Sequence, residues 1–180
     1  MNEFYSHADL AESSPADLAA AYAYERGFDK AADYISRHFD AESFTPGDII
    51  QIRTRNQDLD GQALDGVSFQ RQEIQLADDF ILTGVFPEFE SLHHVELGKT
   101  ARDMTLYEQF SACKADFQDH MYDLPLSKSI SFGDMERMDT SQGFAPRGWT
   151  WNHGADVGSF DLVPTETHKK YGHTGGNALW

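Results

Sequence analysis

The feature that most constrains this chain is a double change of period near its C-terminal end. Trp149-Thr150-Trp151-Asn152-His153 alternates as a strand does, 154–158 holds Gly154 and Gly158 and reads as a turn, and 159–163 reads as a second strand. A helix is expected to start near Pro164, with Asp161 or Pro164 helping to begin it, because proline's fixed φ suits a first helical position. A β-hairpin followed at once by a helix is a compact frame for a single metal ion.

The side chains on that frame suit such an ion. His168 and His173 are separated by four residues, a spacing that lets two imidazoles meet one ion from the end of a helix. His153, on the first strand, is expected to reach the same site across the hairpin. A neutral imidazole can take a proton from water near physiological pH, and a cation can stabilise charge on a phosphate. On spacing alone three readings stand: a catalytic site, a structural zinc site, or scattered surface histidines. Trp149 and Trp151 read as core in preference to a substrate platform. Gly175-Gly176 reads as a flexible bend or a phosphate cradle.

The remainder is a folded, globular α+β chain. Its 180 residues, 40% hydrophobic and 13% aromatic, fit one domain or a small domain with an added lobe. No run of about 18 apolar residues is present, so no membrane span is expected. Met1 to Leu10 has no apolar stretch behind a basic flank, so no secretory signal is expected there. The one cysteine, Cys113, excludes an internal disulfide and reads as a small apolar residue on a helix face.

The net charge of −16 argues at first against nucleic acid, whose phosphates attract Lys and Arg. The charge is uneven, however. Residues 1–98 carry 19 acidic and 6 basic side chains, and 99–180 carry 11 and 8. A neutral or positive groove beside the C-terminal histidines remains compatible with that balance.

Along the chain, Ser14-Pro15-Ala16-Asp17 predicts a helix start and Gly27 its end, and a second helix is predicted from Asp29 to His38. Strands are predicted around Ile49–Arg53, over Val67–Leu76 and over Phe80–Phe86, with Gly61–Gly66 as a turn-rich link and Asp78-Asp79 as a turn. Pro87, His93-His94 and Leu97-Gly98 mark the way out of the sheet. The two histidines are adjacent, so on a strand they would face opposite ways and share no ion. Tyr107–Met121 has helical spacing, and Ile130–Arg147 is loop-rich.

Gly148 to Trp151, Leu162-Val163-Pro164, His168 and His173-Thr174-Gly175-Gly176 resemble the HNH/endonuclease VII nucleases whose hallmark is Trp-His-His. Those are toxin domains of bacterial polymorphic toxins and colicin-like bacteriocins. The likeness is strong over 148–180 and weaker back to about 66, through Gly84–Phe89 and the Gln109–Phe117 helix. Residues 1–60 fall outside the resemblance, and their helix signals and acidity mark a helical acidic N-terminal lobe; the resemblance implies an HNH-type nuclease domain at 61–180, with a small antiparallel sheet and a ββα-metal motif at 148–180.

The resemblance further implies His153 as general base, His168 and His173 as metal ligands, and Arg147 as the residue touching the scissile phosphate. The family's remaining metal-binding histidine falls on Asn152, a weaker neutral ligand, so the site has either an altered metal preference or reduced strength. Asp161 could add a carboxylate ligand or orient a histidine. The implied activity is a metal-dependent endonuclease toxin using one divalent ion (Mg, Mn, Zn or Ni), with DNA the substrate in preference to RNA. The implied partners are nucleic acid, a cognate immunity protein, and a secretion or adaptor protein docking on the acidic lobe. Such a chain would be made in the bacterial cytoplasm, exported by a specialised system or as part of a larger toxin, and act in a target cell's cytoplasm. An RNase on the same frame and a non-catalytic zinc-stabilised binding module are the alternatives.

Overall fold

A computed structural model describes residues 13–121 and 143–180, together with Ile130, Ser131, Gly133 and Met138. Residues 1–10, and most of the loop-rich stretch expected before Arg147, lie outside the described residues.

Helix α1 spans Pro15–Glu25 and begins as its sequence dictates. The Ser14 hydroxyl accepts from the Asp17 N–H while the Asp17 carboxylate accepts from the Ser14 N–H, and Pro15 needs no N–H in the first turn. Gly27, at φ 75°, supplies the left-handed residue that ends it. Helix α2 follows over Asp29–His38.

Two sheets carry the rest. The first holds β1 (Ile50–Gln51), β2 (Ala63–Leu64), β3 (Val67–Ala77) and β4 (Phe80–Glu88) in the order β1-β4-β3-β2, with β1 parallel to β4. The expected strand around Ile49–Arg53 is thus shorter, with Ile52 bridged separately to Phe39. The expected link at Gly61–Gly66 contains β2, because Asp65 and Gly66, at φ 51° and 82°, form a two-residue turn that pairs Leu64 with Val67.

The chain leaves the first sheet beside Pro87 as expected, β4 ending at Glu88, but His93-His94, expected on the way out, open a strand of a second sheet. Pro87 still pairs with Phe69; β1 reaches β4 only at Leu82 and Thr83, so at Pro87 the other side of β4 demands no N–H. Strand β5 (His93–Glu96) then enters a three-stranded antiparallel sheet, order β5-β7-β6, with β6 at Trp149–His153 and β7 at Ser159–Pro164. Helix α3 (Leu106–His120) packs on β5, and helix α4 (Thr165–Lys170) follows β7 directly. The architecture is α+β as expected, with β5 added to the expected C-terminal hairpin to make a second small sheet.

A continuous core runs through both halves of the sequence, from Ala19 and Ile35 through Ile50, Phe80 and Leu82 to Phe117, Trp151 and Phe160. Cys113 belongs to it: the side chain is buried, and burial pushes its thiol pKa up to about 12, so it packs as an inert small residue. Among the described residues, no helix is long and apolar enough to cross a membrane.

Candidate active site

Register in the second sheet decides which side chains meet. It sets three rows across the strands: His93–Leu162–Trp151, His94–Asp161–Asn152 and Val95–Phe160–His153. Successive rows face opposite ways. Asn152 therefore shares a face with Asp161 and His94, while His153 takes the opposite face with Phe160. Since β6 is an edge strand and His153 its last residue, both side chains still border one cleft of about 290 Å³, together with His168 and His173.

On the Asn152 face, His168 in α4 and His173 just beyond it bring their rings to 5.0 Å, nearly perpendicular at 86°. Phe89 walls them, 5.6 Å from His168 and 5.2 Å from His173. Burial lowers the pKa of both histidines. His168 is lowered further by His173. For His173, the hydrogen bond it donates to the Tyr171 backbone carbonyl works against the shift and the charge of Arg55 adds to it. Both rings are therefore neutral and have a lone pair to offer at neutral pH.

The His173 ring donates Nδ1–H to the Tyr171 carbonyl at 3.1 Å, which leaves the lone pair on Nε2. That atom faces Asn152 Oδ1 at 2.9 Å. Two acceptors stand opposed unless the amide turns its NH2 to the ring or a cation sits between them. The donor set thus fits a divalent metal held by His168, His173 and Asn152. Asp161 is engaged elsewhere: its carboxylate accepts from His94 Nδ1 at 2.9 Å, and Glu96 holds the other ring nitrogen at 2.8 Å. Burial alone would lower the His94 pKa, but Asp161 and Glu96 outweigh it and the net shift is upward.

On the other face, His153 packs against Phe160 at 4.8 Å, Phe110 at 5.3 Å and Trp180 at 5.4 Å. Its orientation is fixed by Gln109, a buried residue in the first turns of α3. The Thr105–Glu108 capping box sets where that helix begins. The Gln109 amide nitrogen donates to the Ala101 carbonyl at 2.7 Å, so the amide oxygen must face His153 Nε2, 2.9 Å away. An amide oxygen only accepts. His153 Nε2 therefore carries the proton, and Nδ1 keeps the lone pair. Burial, then the charges of Lys30 and His168, push the His153 pKa down to about 4. In sequence Gln109 opens the helix segment that resembles the family, with no role of its own; that role appears only when α3 lies across β6.

Two basic residues reach this site from the N-terminal part of the chain. Lys30 is close enough to depress His153, and the Arg55 guanidinium lies against Gly172, where an added Cβ would stand 2.7 Å from Nη1. Arg147 occupies an exposed turn before β6, at the end of the strand far from His153, and borders neither this cleft nor the adjoining one along Glu88 and Asp156. The segment after His173 is built in tightly. The Thr174 hydroxyl meets Tyr34 Oη at 2.8 Å and accepts the Arg55 N–H at 3.2 Å. A Cβ on Gly176 would stand 2.2 Å from the Gly154 carbonyl oxygen, so this glycine permits close packing and the run is no free bend. Trp151 is core, its indole N–H donating to the Phe144 carbonyl at 2.8 Å.

Residues 141–180 match the family model named WHH, described as a nuclease of the HNH/ENDO VII superfamily with conserved WHH. In this chain the hallmark reads Trp151-Asn152-His153, with asparagine in the middle. No curated protein and no solved structure matches the chain.

Proposed function

We propose that this chain, whose residues 141–180 match the WHH nuclease model of the HNH/ENDO VII superfamily, is a metal-dependent endonuclease with DNA as its substrate. The observation that carries the reading is the meeting in one cleft of a base with a fixed tautomer and a pair of neutral histidines. His153 Nδ1 takes the proton from the attacking water, and Gln109 holds the ring by its other nitrogen. His168, His173 and Asn152 hold a divalent ion, which supplies charge stabilisation for the phosphate and the leaving oxygen. Arg55 adds a fixed positive charge beside His173 and is the better-placed phosphate contact; Arg147 would reach only substrate lying over the far end of β6.

A nuclease that can cut its own producer's DNA needs a partner that blocks it. We therefore assign the chain to the toxin class, with a cognate immunity protein, and the acidic N-terminal lobe to docking a secretion or adaptor protein. The test uses purified chain with plasmid DNA and tRNA side by side, in Mg²⁺, Mn²⁺, Ni²⁺ or Zn²⁺. Plasmid cleavage that EDTA abolishes and that a folded His153→Ala variant lacks supports the proposal. Cleavage confined to tRNA moves the substrate to RNA. Intact plasmid and tRNA under every metal, with EDTA unfolding the protein, would replace the enzyme by a zinc-stabilised binding module.

A further inference from the structure

We propose that His93, Asp116 and His120 form a second metal site, selective for zinc-like ions, on the sheet face opposite Asn152. Each of the three offers one donor atom, and these atoms lie within 4.8 Å of one another. His93 Nε2 is 2.7 Å from Asp116 Oδ1; His120 Nδ1 is 3.5 Å from the same oxygen and donates to the Asp116 backbone carbonyl at 2.8 Å, a bond that ligation would exchange for the ion. Donors around a tetrahedral zinc at bond lengths of about 2.0–2.2 Å are separated by roughly 3.4 Å, so side-chain shifts on the order of 1 Å complete the shell. Asp116 and His120 are one turn apart on α3, while His93 comes from β5.

The surroundings suit a site with one open position. On the inner side the His93 ring packs against Phe117 at 5.4 Å and Trp151 at 6.5 Å. On the outer side the Asp116 and His120 side chains are 40% and 56% exposed, which gives an ion and one water a way in. Two imidazoles and one carboxylate favour zinc, nickel, cobalt or copper over magnesium or calcium, which prefer all-oxygen shells. Two hydrogen bonds occupy this place in the ion's stead, His93 to the Asp116 carboxylate and His120 Nδ1 to the Asp116 carbonyl. Metal binding displaces their protons from the ligating atoms, so affinity falls as pH falls.

Such an ion ties α3 to β5, and through β7 to β6. Those elements carry Gln109 and His153, so the site braces the support of the candidate base without touching substrate. Among the described residues this is the group of three or more His, Cys, Asp or Glu side chains placed to share an ion. The His168–His173 pair has the neutral Asn152 amide and the His153 ring in its cleft, whereas this group adds a carboxylate to its two imidazoles.

The test is zinc titration by calorimetry of the untagged, chelator-treated chain carrying His168→Ala and His173→Ala. One equivalent of zinc is expected to bind, with a melting temperature that rises with zinc concentration, and magnesium to give neither effect. Adding Asp116→Asn or His120→Ala should weaken zinc binding by at least about tenfold, with each variant's metal-free melting temperature read beside it so that loss of a ligand is told from loss of fold. No saturable zinc binding, or binding that survives both added substitutions, overturns the proposal. If the double variant does not fold, the original chain compared with His120→Ala should lose one zinc equivalent, and unchanged stoichiometry and affinity overturn it. The zinc readout does not depend on cleavage, so an inactive chain that binds zinc this way refutes only the nuclease reading.

Discussion

The Asn152 side-chain amide lies 2.9 Å from His173 Nε2, at the position where the family hallmark has its first histidine. An amide oxygen gives a metal less than an imidazole does. Asn152→His should therefore tighten metal binding at His168 and His173 and raise cleavage at limiting metal by about 10-fold or more. Asn152→Ala should lower both by about 10–100-fold. Cleavage rates titrated against Mn²⁺ or Ni²⁺ measure the effect. A histidine that leaves the metal requirement unchanged would show that Asn152 is not a ligand.

Gln109 predicts a different signature, because it acts through His153 and touches no substrate. Gln109→Leu removes the acceptor for Nε2–H and frees the ring to change tautomer, so kcat should fall about 10–100-fold with KM and metal affinity nearly unchanged. Gln109→Glu keeps an acceptor and should restore part of the rate, although it gives up the bond to Ala101. Equal loss in both variants, with unfolding in each, would reduce Gln109 to a structural residue.

Arg55 and Arg147 separate by salt dependence. Arg55→Ala should lower kcat/KM several-fold and reduce the slope of log(kcat/KM) against log[salt] by about one, the signature of one lost phosphate contact. Arg147→Ala should change neither. The opposite pattern would return the phosphate contact to Arg147.

Much of this site was legible because its signals are local. The alternation of Trp149–His153, the glycines of the turn and Pro164 specify a hairpin and a helix start without help from the rest of the chain. The period-two rule that separates His93 from His94 also places Asn152 and His153 on opposite faces, so His153 reaches the cleft around the sheet edge. The rest depends on long-range placement. His93–Glu96 becomes a strand only because β7 presents Ser159–Leu162 to it, far along the chain. Charge counted by halves of the sequence also missed Lys30 and Arg55, which folding carries to the histidines. Gln109 opens a helix that resembles the family, yet nothing local ties it to His153, 44 residues along the chain.

Acid should weaken the metal-free fold in a window set by His153. An unfolded histidine titrates near 6.5, whereas His153 in the fold is held down to about 4. Between those values the unfolded chain takes up a proton that the folded chain refuses. Stability is therefore fully present above about pH 7 and falls as pH drops towards 4, by on the order of 3 kcal/mol in all. His168 and His173 are shifted the same way and steepen the fall, while His94, raised by its carboxylates, opposes it. Urea unfolding in EDTA at pH 7.5, 6 and 5 reads the slope. The comparison that isolates the effect is His153→Gln, which cannot titrate and should flatten the slope; parallel pH dependence in the two proteins would mean that His153 is not held neutral by burial.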